Sequence, residues 1–322
     1  MIDLSVIMPV HNAGIYLREA IETLKNQIYK DFELICIDDC STDNNTIEIL
    51  NEYENEGFIR VTRLIESSGA ANARNIGLSL AQTDYVIFLD SDDLFDEHLL
   101  SDMMSAIKKE DSDICICEYD TFRTVNGNKE IVGTFRIDQD IALQATDEKY
   151  LTILPTNPWT KICKRQYLID NNIRFQSLSS SNDVFFSNCA ILYTERRSFV
   201  FKPLIMYRSI HENSISKNRK ASNFYYAFEA TYNKMQSDGS ITSIHEKMLF
   251  YNLILSSVGE MLGSVDDDDN MKFYYLVKKF LRKNHTSFND RSVNNLVRCY
   301  KLFSYKTWRW GIDRGILRII GY

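Results

Sequence analysis

The sequence predicts an α/β fold: a mostly parallel, Rossmann-like sheet with flanking helices, plus a C-terminal helical region. Three observations predict it. Over residues 1–120 short apolar runs alternate with stretches of helical spacing. Polar, often acidic residues follow the apolar runs, and in open parallel sheets ligands bind beyond those strand ends. From Ser222 onward the pattern is helical, with few strand signals.

The elements follow in order. Residues 4–8 form an apolar strand closed by Pro9, and residues 15–27 carry Leu17, Ala20, Ile21 and Leu24 on one helix face. Residues 32–37 read as a second strand, ending in Asp38-Asp39. Residues 46–53 read as helix, 59–64 as strand, 70–81 as a helix of small residues, and 85–89 as a fourth strand ending in Asp90. Residues 97–109 are again helical and 113–117 form a fifth strand. Such alternation means a largely parallel sheet with helices on both faces. Asn126-Gly127-Asn128, between two strand-like runs, reads as a hairpin turn. The acidic run at residues 266–269 reads as a solvated loop between helices, with a calcium site as the lesser alternative.

A chain of 322 residues suggests about two domains. The expected division is a domain at 1–220, in two halves at 1–120 and 121–220, then a helical region at 221–322 with a basic tail. With 44% apolar and 25% charged residues the composition is that of an ordinary globular protein. The seven cysteines have no zinc-ribbon spacing and read as reduced, mostly buried thiols of a cytosolic protein. The first residues lack the basic start of a signal peptide, and no apolar run is long enough to span a membrane.

Charge is unevenly distributed. In residues 271–322 twelve lysines and arginines face Asp290 and Asp313, a net +10, which leaves −17 for the preceding chain out of −7 overall. Lys278, Lys279, Arg282 and Lys283, with Trp308 and Trp310 among later cations, suit an anionic membrane surface. The expected location is therefore cytoplasmic, peripheral on the inner face of the plasma membrane. An oligomer face or a core face with snorkelling cations is the competing reading. Nucleic acid is disfavoured by the acidity of the rest of the chain.

Asp90-Ser91-Asp92-Asp93 places three carboxylates in four residues after an apolar strand. Such close like charges repel unless a cation sits among them. Oxygen ligands of this kind suit Mg²⁺ or Mn²⁺, which commonly bind through one or two carboxylates and substrate phosphates. A polar turn into a helix, with Asp93 near its N-terminus, is the structural alternative.

Four motifs then occur in order: Ser5-Val6-Ile7-Met8-Pro9-Val10-His11-Asn12, residues 32–43 with Asp38-Asp39, Gly69-Ala70-Ala71-Asn72-Ala73-Arg74-Asn75-Ile76-Gly77, and Phe88-Leu89-Asp90-Ser91-Asp92-Asp93. Together they resemble the inverting GT-A glycosyltransferases of family 2, strongly over residues 4–120 and moderately over 155–217. The resemblance implies a UDP-sugar donor, a Mn²⁺ or Mg²⁺ cofactor and a glycan or lipid-linked acceptor, in bacterial surface polysaccharide or lipooligosaccharide synthesis. It implies that Pro9, Val10, His11, Asn12, Asp39, Arg74, Asp90 and Ser91 form the nucleotide site. Asp92 would reach the metal, with His211 completing its shell. Many relatives carry Tyr where this chain has His11. Pro158-Trp159-Thr160-Lys161 resembles a Trp-x-Lys segment near the sugar, and Asp93 and Asn182 would join Trp159 and Lys161 there. Asp183 matches the general base, although Asn182 stands where relatives carry Glu. Residues 207–217 resemble the closing segment, in which Ser214, Ser216 and Lys217 would hold the diphosphate. A non-catalytic GT-A scaffold, a nucleotidyltransferase and a homo-oligomer are the other expectations. The nucleotidyltransferase lacks support, because Pro9-Val10-His11-Asn12 is not the Gly-rich, Arg-containing loop it needs.

Overall fold

The computed structural model describes residues 2–209, 219–264, 266–284 and 287–313. Its contacts divide the chain into two compact units: Met1–Ile137 with Pro155–Ser177 and Phe186–Glu212, and Asp138–Leu154 with Leu178–Phe185 and Asn213–Tyr322. The two units interleave along the chain instead of meeting at one boundary.

In chain order the first elements are β1 (Leu4–Val10), α1 (Ile15–Lys25), β2 (Phe32–Asp38), α2 (Asn44–Asn55), β3 (Ile59–Arg63), α3 (Ala70–Leu80), β4 (Tyr85–Phe88), β5 (Leu94–Phe95) and α4 (Leu99–Lys109). Then come β6 (Ile114–Val125), β7 (Asn128–Phe135), α5 (Gln139–Gln144), β8 (Lys161–Lys164), α6 (Arg165–Asp170), α7 (Val184–Leu192) and β9 (Arg197–Arg208). The chain closes with α8 (Ala221–Ser237), α9 (Ser243–Gly263), α10 (Asp267–Lys283), α11 (Arg291–Leu302) and α12 (Tyr305–Asp313).

In the first unit, β3, β2, β1 and β4 are parallel neighbours, as the alternation predicts. Every residue of β1 is buried, which fits a central strand covered on both faces. Pro9 is tolerated there because β1 pairs with β4 only as far as Ile7–Phe88, so its missing N–H is not needed on that side. α1 buries Leu17, Ala20, Ile21 and Leu24, the face read from its spacing. α3 lies so close to β1 that a Cβ on Gly77 would sit 2.3 Å from Cγ2 of Ile7. Gly77 therefore sets how closely that helix approaches the sheet.

The other half of the sheet is mixed. The expected fifth strand is the start of the longer β6, and it does not pair with β4. β8 inserts between them, antiparallel to both, while β9 runs parallel to β6 and antiparallel to β5. The strand that completes the core comes from residues far along the chain, so local periodicity could not place it. The hairpin is present: β7 pairs with β6 across Asn126 and Gly127, whose φ angles of 50° and 81° are the positive values a two-residue turn requires.

The second unit is helical. Phe228, Phe250 and Phe280 meet edge to face, with the Phe250 and Phe280 centroids 4.8 Å apart. Tyr274, Tyr300 and Trp308 form a second aromatic cluster. Two expectations are corrected here. The acidic run is not a loop: Asp266 caps α10, accepting from the Asp269 amide, and Asp267–Asp269 occupy its first turn. Carboxylates are favoured there by the helix dipole. Asp269 is itself buried and accepts from the amide and hydroxyl of Ser222. Trp308, expected at a membrane interface, is fully buried in the aromatic cluster, and Lys278 is buried with its ammonium on the carbonyl of Phe303. The side chain of Trp310 lies outside the described residues. No described helix is long and apolar enough to cross a membrane.

Candidate active site

The parallel strands bring three loops to one edge of the first unit. Pro9 and Val10 are the buried last residues of β1, paired with Ile37 and Asp38, so the loop itself begins at His11. His11 donates through Nδ1 to the carbonyl of Asp39 at 2.7 Å. Asn12 has a positive φ of 49°, and its side-chain oxygen accepts from the amides of Thr42 at 2.7 Å and Asp43 at 3.1 Å. These bonds tie the loop after β1 to the loop after β2. Asp43 in turn caps α2 by accepting from the Thr46 amide.

Asp39 is buried and reaches across to the loop ahead of α3. One carboxylate oxygen accepts from the Ser68 amide and hydroxyl, the other from the Ser67 hydroxyl and the Gly69 amide, at 2.7–3.1 Å. Four such bonds use its acceptor capacity. Burial raises its pKa, but these hydrogen bonds outweigh that and hold it below the usual carboxylate range.

Arg74, on α3, is buried and pairs with Asp90 at 2.5 Å, its guanidinium over the ring of Phe175. Its neighbour Asn75 exchanges two bonds with the backbone of Phe175, both 2.9 Å. Phe175 stacks on Phe186 and meets Phe88, the last residue of β4, edge to face. The turn after β4 is thus braced by α3 and by the loop around Phe175.

Asp93 is fully buried and accepts from the backbone amide of Arg208 at 2.8 Å, while its other oxygen, Oδ2, has no hydrogen-bond partner among the described residues. Burial, then the charges of Asp92 and Asp90, push its pKa well up. Burial also raises Asp90, with Arg74 opposing and Asp92 adding to the shift. Asp92 and Ser91 are half-buried. Arg74 pairs with Asp90, and Asp93 has no paired side-chain cation among the described residues. An orphaned buried oxygen in such a cluster fits a nearby cation. Among the described residues no group of three His, Cys, Asp or Glu side chains could hold one ion. The protein would therefore supply one or two carboxylates, Asp92 foremost, and a substrate diphosphate the rest, as Mn²⁺ and Mg²⁺ sites allow. His211, Ser214, Ser216 and Lys217 lie outside the described residues.

Arg208, at the end of β9, locks the acidic turn from behind. Its Nε donates to the carbonyl of Asp92 at 2.7 Å, and its Nη2 pairs with Glu19 at 2.6 Å. The guanidinium lies between Tyr16 and Phe122, 4.2 and 4.7 Å from their ring centroids. In the sequence Arg208 falls within the closing segment but has no assigned role. A lone arginine at a strand end carries no signal that it will meet a turn more than a hundred residues earlier, a separation of 115 for Asp93.

Trp159 and Lys161 are buried. Trp159 stacks on Tyr207 and meets Tyr119 edge to face. The Lys161 ammonium donates to the carbonyls of Pro155 at 2.5 Å and Asn157 at 2.8 Å, and to the Thr160 hydroxyl at 3.1 Å. All three bonds brace the loop at 155–160.

Asp183 and Asn182 belong to the second unit, just ahead of α7, and both are half-buried. Asn182 donates to the carbonyl of Leu178 at 3.4 Å, and Asn223 of α8 holds Ser179 and Ser180 at 3.0 and 3.1 Å. Glu260 of α9 is paired with Arg219 at 3.3 Å. Burial raises its pKa; Arg219 opposes this and the charge of Asp183 adds to it.

Residues 5–171 match the family described as Glycosyl transferase family 2. The chain is 28% identical over 214 residues to the glycosyltransferase GlyG of Streptococcus pneumoniae, covering 64% of this chain and 70% of GlyG. It is 31% identical over 216 residues to the poly(ribitol-phosphate) β-N-acetylglucosaminyltransferase TarS of Staphylococcus aureus. That match covers 66% of this chain but only 36% of TarS, so the chain spans little more than a third of that relative. In structure it resembles S. aureus TarS 1–349 in complex with UDP-GlcNAc, with a TM-score of 0.73 over 97% of this chain and 92% of that one. At 22% identity this structural likeness is one of fold, and that fold is GT-A.

Proposed function

Since this glycosyltransferase belongs to glycosyl transferase family 2, we propose that it transfers a sugar from a UDP-sugar to a bacterial surface glycan or lipid-linked acceptor, with inversion and with Mn²⁺ or Mg²⁺. The observation that carries the reading is the acidic turn after β4, held by Arg74 on one side and Arg208 on the other, at the edge where the β1 and β2 loops also meet. The complex of TarS with UDP-GlcNAc supports a UDP-linked donor, and the poly(ribitol-phosphate) acceptor of TarS supports a surface polymer as acceptor.

In this reading His11 and Asn12 present the edge that meets the base, and Asp39 acts by shaping the Ser67–Gly69 segment around it. Asp90 and Ser91 face the ribose. Asp92 would hold the metal, with Asp93 behind it, and His211, Ser214, Ser216 and Lys217 would complete the diphosphate site. A bound divalent cation would supply charge neutralisation for the departing diphosphate. Asp183 takes the proton of the acceptor hydroxyl as its oxygen bonds to the anomeric carbon and the bond to the UDP oxygen breaks. Trp159 and Lys161 shape the sugar pocket through the loop they brace, and Asn182 flanks the base.

Peripheral membrane binding is proposed through the exposed cations of α10 and α11, with a homo-oligomer as the alternative use of that face. Membership of the family sets the nucleotidyltransferase aside, and donor turnover would exclude a scaffold. The test is hydrolysis and transfer across a panel of UDP-sugars with Mn²⁺ or with EDTA, for the intact chain and Asp92→Ala. Metal-dependent turnover lost in the variant is expected. Full activity in EDTA would overturn the metal assignment, and no turnover with any nucleotide sugar would overturn the donor.

A further inference from the structure

The second unit contains a cavity of about 290 Å³ between the segment around α5, the start of α9 and the residues ahead of α11. Its lining includes Asp140, Asp147, Glu148, Ile244, Lys247 and Asn289. Glu148 is 5% exposed. One of its oxygens accepts from the Asn289 amide at 2.9 Å, and the other, Oε2, is buried with no hydrogen-bond partner among the described residues. A buried carboxylate oxygen left without a donor is costly, so Glu148 Oε2 marks a place where a donor is missing.

The lining decides what kind of donor that is. Three carboxylates face one lysine, so a phosphate or other anion is repelled. A metal ion is disfavoured too, since Lys247 lines the same small space and one oxygen each of Glu148 and Asp147 is already taken by a backbone amide. Uncharged hydroxyls answer both conditions: they donate to the carboxylates and accept from Lys247. Ile244 offers an apolar wall for the carbon face of a ring. The volume is at the small end of ligand pockets, the size of one sugar unit and too small for a nucleotide sugar.

We propose that this cavity is a subsite for one uncharged saccharide unit of the acceptor glycan, with Glu148 accepting from its hydroxyls. The identity of the ligand rests on the glycosyltransferase reading; the existence of the site does not. Asp147 keeps one oxygen for its own turn, accepting from the Lys149 amide at 2.7 Å, and Asp140 is exposed at the rim.

The test is saturation-transfer NMR on the intact chain with methyl glycosides of glucose, galactose and N-acetylglucosamine, with and without saturating UDP. UDP-sugar hydrolysis is measured in parallel. At least one glycoside should bind, and should stay bound when UDP is added. Glu148→Gln, which retains an acceptor for Asn289, should weaken binding about tenfold or more, the loss expected for one hydrogen bond to a charged group. Its donor hydrolysis should stay unchanged. Should Glu148→Gln fail to fold, Asp140→Asn at the exposed rim gives the same readout, with a smaller loss expected. Glycoside binding that UDP displaces, binding untouched in both variants, or no binding at the solubility limit would each overturn the subsite. Hydrolysis without glycoside binding would sink this inference alone. Glu148-dependent binding without hydrolysis would leave the site standing and sink the donor reading.

Discussion

Arg208 and Asp93 meet in the core of the first unit: the backbone amide of Arg208 donates at 2.8 Å to the Asp93 carboxylate, and the Arg208 side chain then reaches the carbonyl of Asp92. Two positions 115 residues apart thereby fix the turn on which the proposed metal site depends. Arg208→Met should remove the bond to Asp92 and the pair with Glu19. Because Glu19 is 40% exposed, solvent discounts that pair, and a stability loss of about 1–3 kcal/mol is expected. If Arg208 positions the turn, the Mn²⁺ concentration for half-maximal transfer should also rise, measured by titration at fixed donor. An unchanged Mn²⁺ dependence with lowered stability would leave it a purely structural residue.

Asp183→Asn keeps size and loses the base. Turnover should fall about 10²–10⁴-fold, with UDP affinity by calorimetry unchanged. The anomeric configuration of the wild-type product, read by NMR, should be opposite to that of the donor. A retained configuration or near-normal turnover in the variant would remove Asp183 from that role.

Glu260 gives a pH signature. Burial raises its folded-state pKa above the unfolded value of about 4.3, despite Arg219. The sign follows from linkage: a carboxylate whose pKa is raised on folding lowers stability once pH exceeds the unfolded pKa, and the loss is complete above the folded one. Glu260→Gln should therefore be more stable than the wild type at pH 7–8. The two should converge below about pH 4, where both forms are neutral. Denaturant melts across pH check this, and a variant destabilised at pH 8 would show that the Arg219 pair dominates.

Gly77→Ala forces a methyl group to 2.3 Å from the Ile7 side chain in the centre of the sheet. Overpacking of this kind should cost about 1–3 kcal/mol. Helix propensity alone would favour alanine by about 1 kcal/mol. A stabilised variant in urea melts would mean that α3 moves away from β1 freely.

The basic C-terminal region separates into core and surface. Trp308→Ala should destabilise the protein by about 3–5 kcal/mol, since its ring is fully buried against Tyr274 and Tyr300. Lys279 and Lys283, by contrast, are exposed on α10. Reversing both to Glu should leave the melting temperature within a few degrees and weaken binding to anionic vesicles. Removing each cation should contribute roughly 1 kcal/mol at low salt. Equal flotation of variant and wild type, or of neither, would favour an oligomer face.

By itself the sequence determined the parallel half of the fold and the family. The buried run of β1, the 3.6-residue spacing of α1 and the small residues of α3 are local patterns, and local patterns are set by each segment's own side chains. The same holds for the acidic residues at strand ends, because parallel strands carry their C-terminal loops to one edge whatever follows. Tertiary structure alone decided the partners. β8 enters the sheet beside β4 from far along the chain, and Arg208 closes on Asp92 and Asp93 from across the first unit. Trp308 and Lys278 looked like surface residues because amphipathic cations and aromatics read alike on a membrane face and on a helix packed against its neighbours. Which of the two they join depends on the opposing helices: Tyr274 of α10 and Tyr300 of α11 enclose Trp308, and the Phe303 carbonyl at the end of α11 receives Lys278.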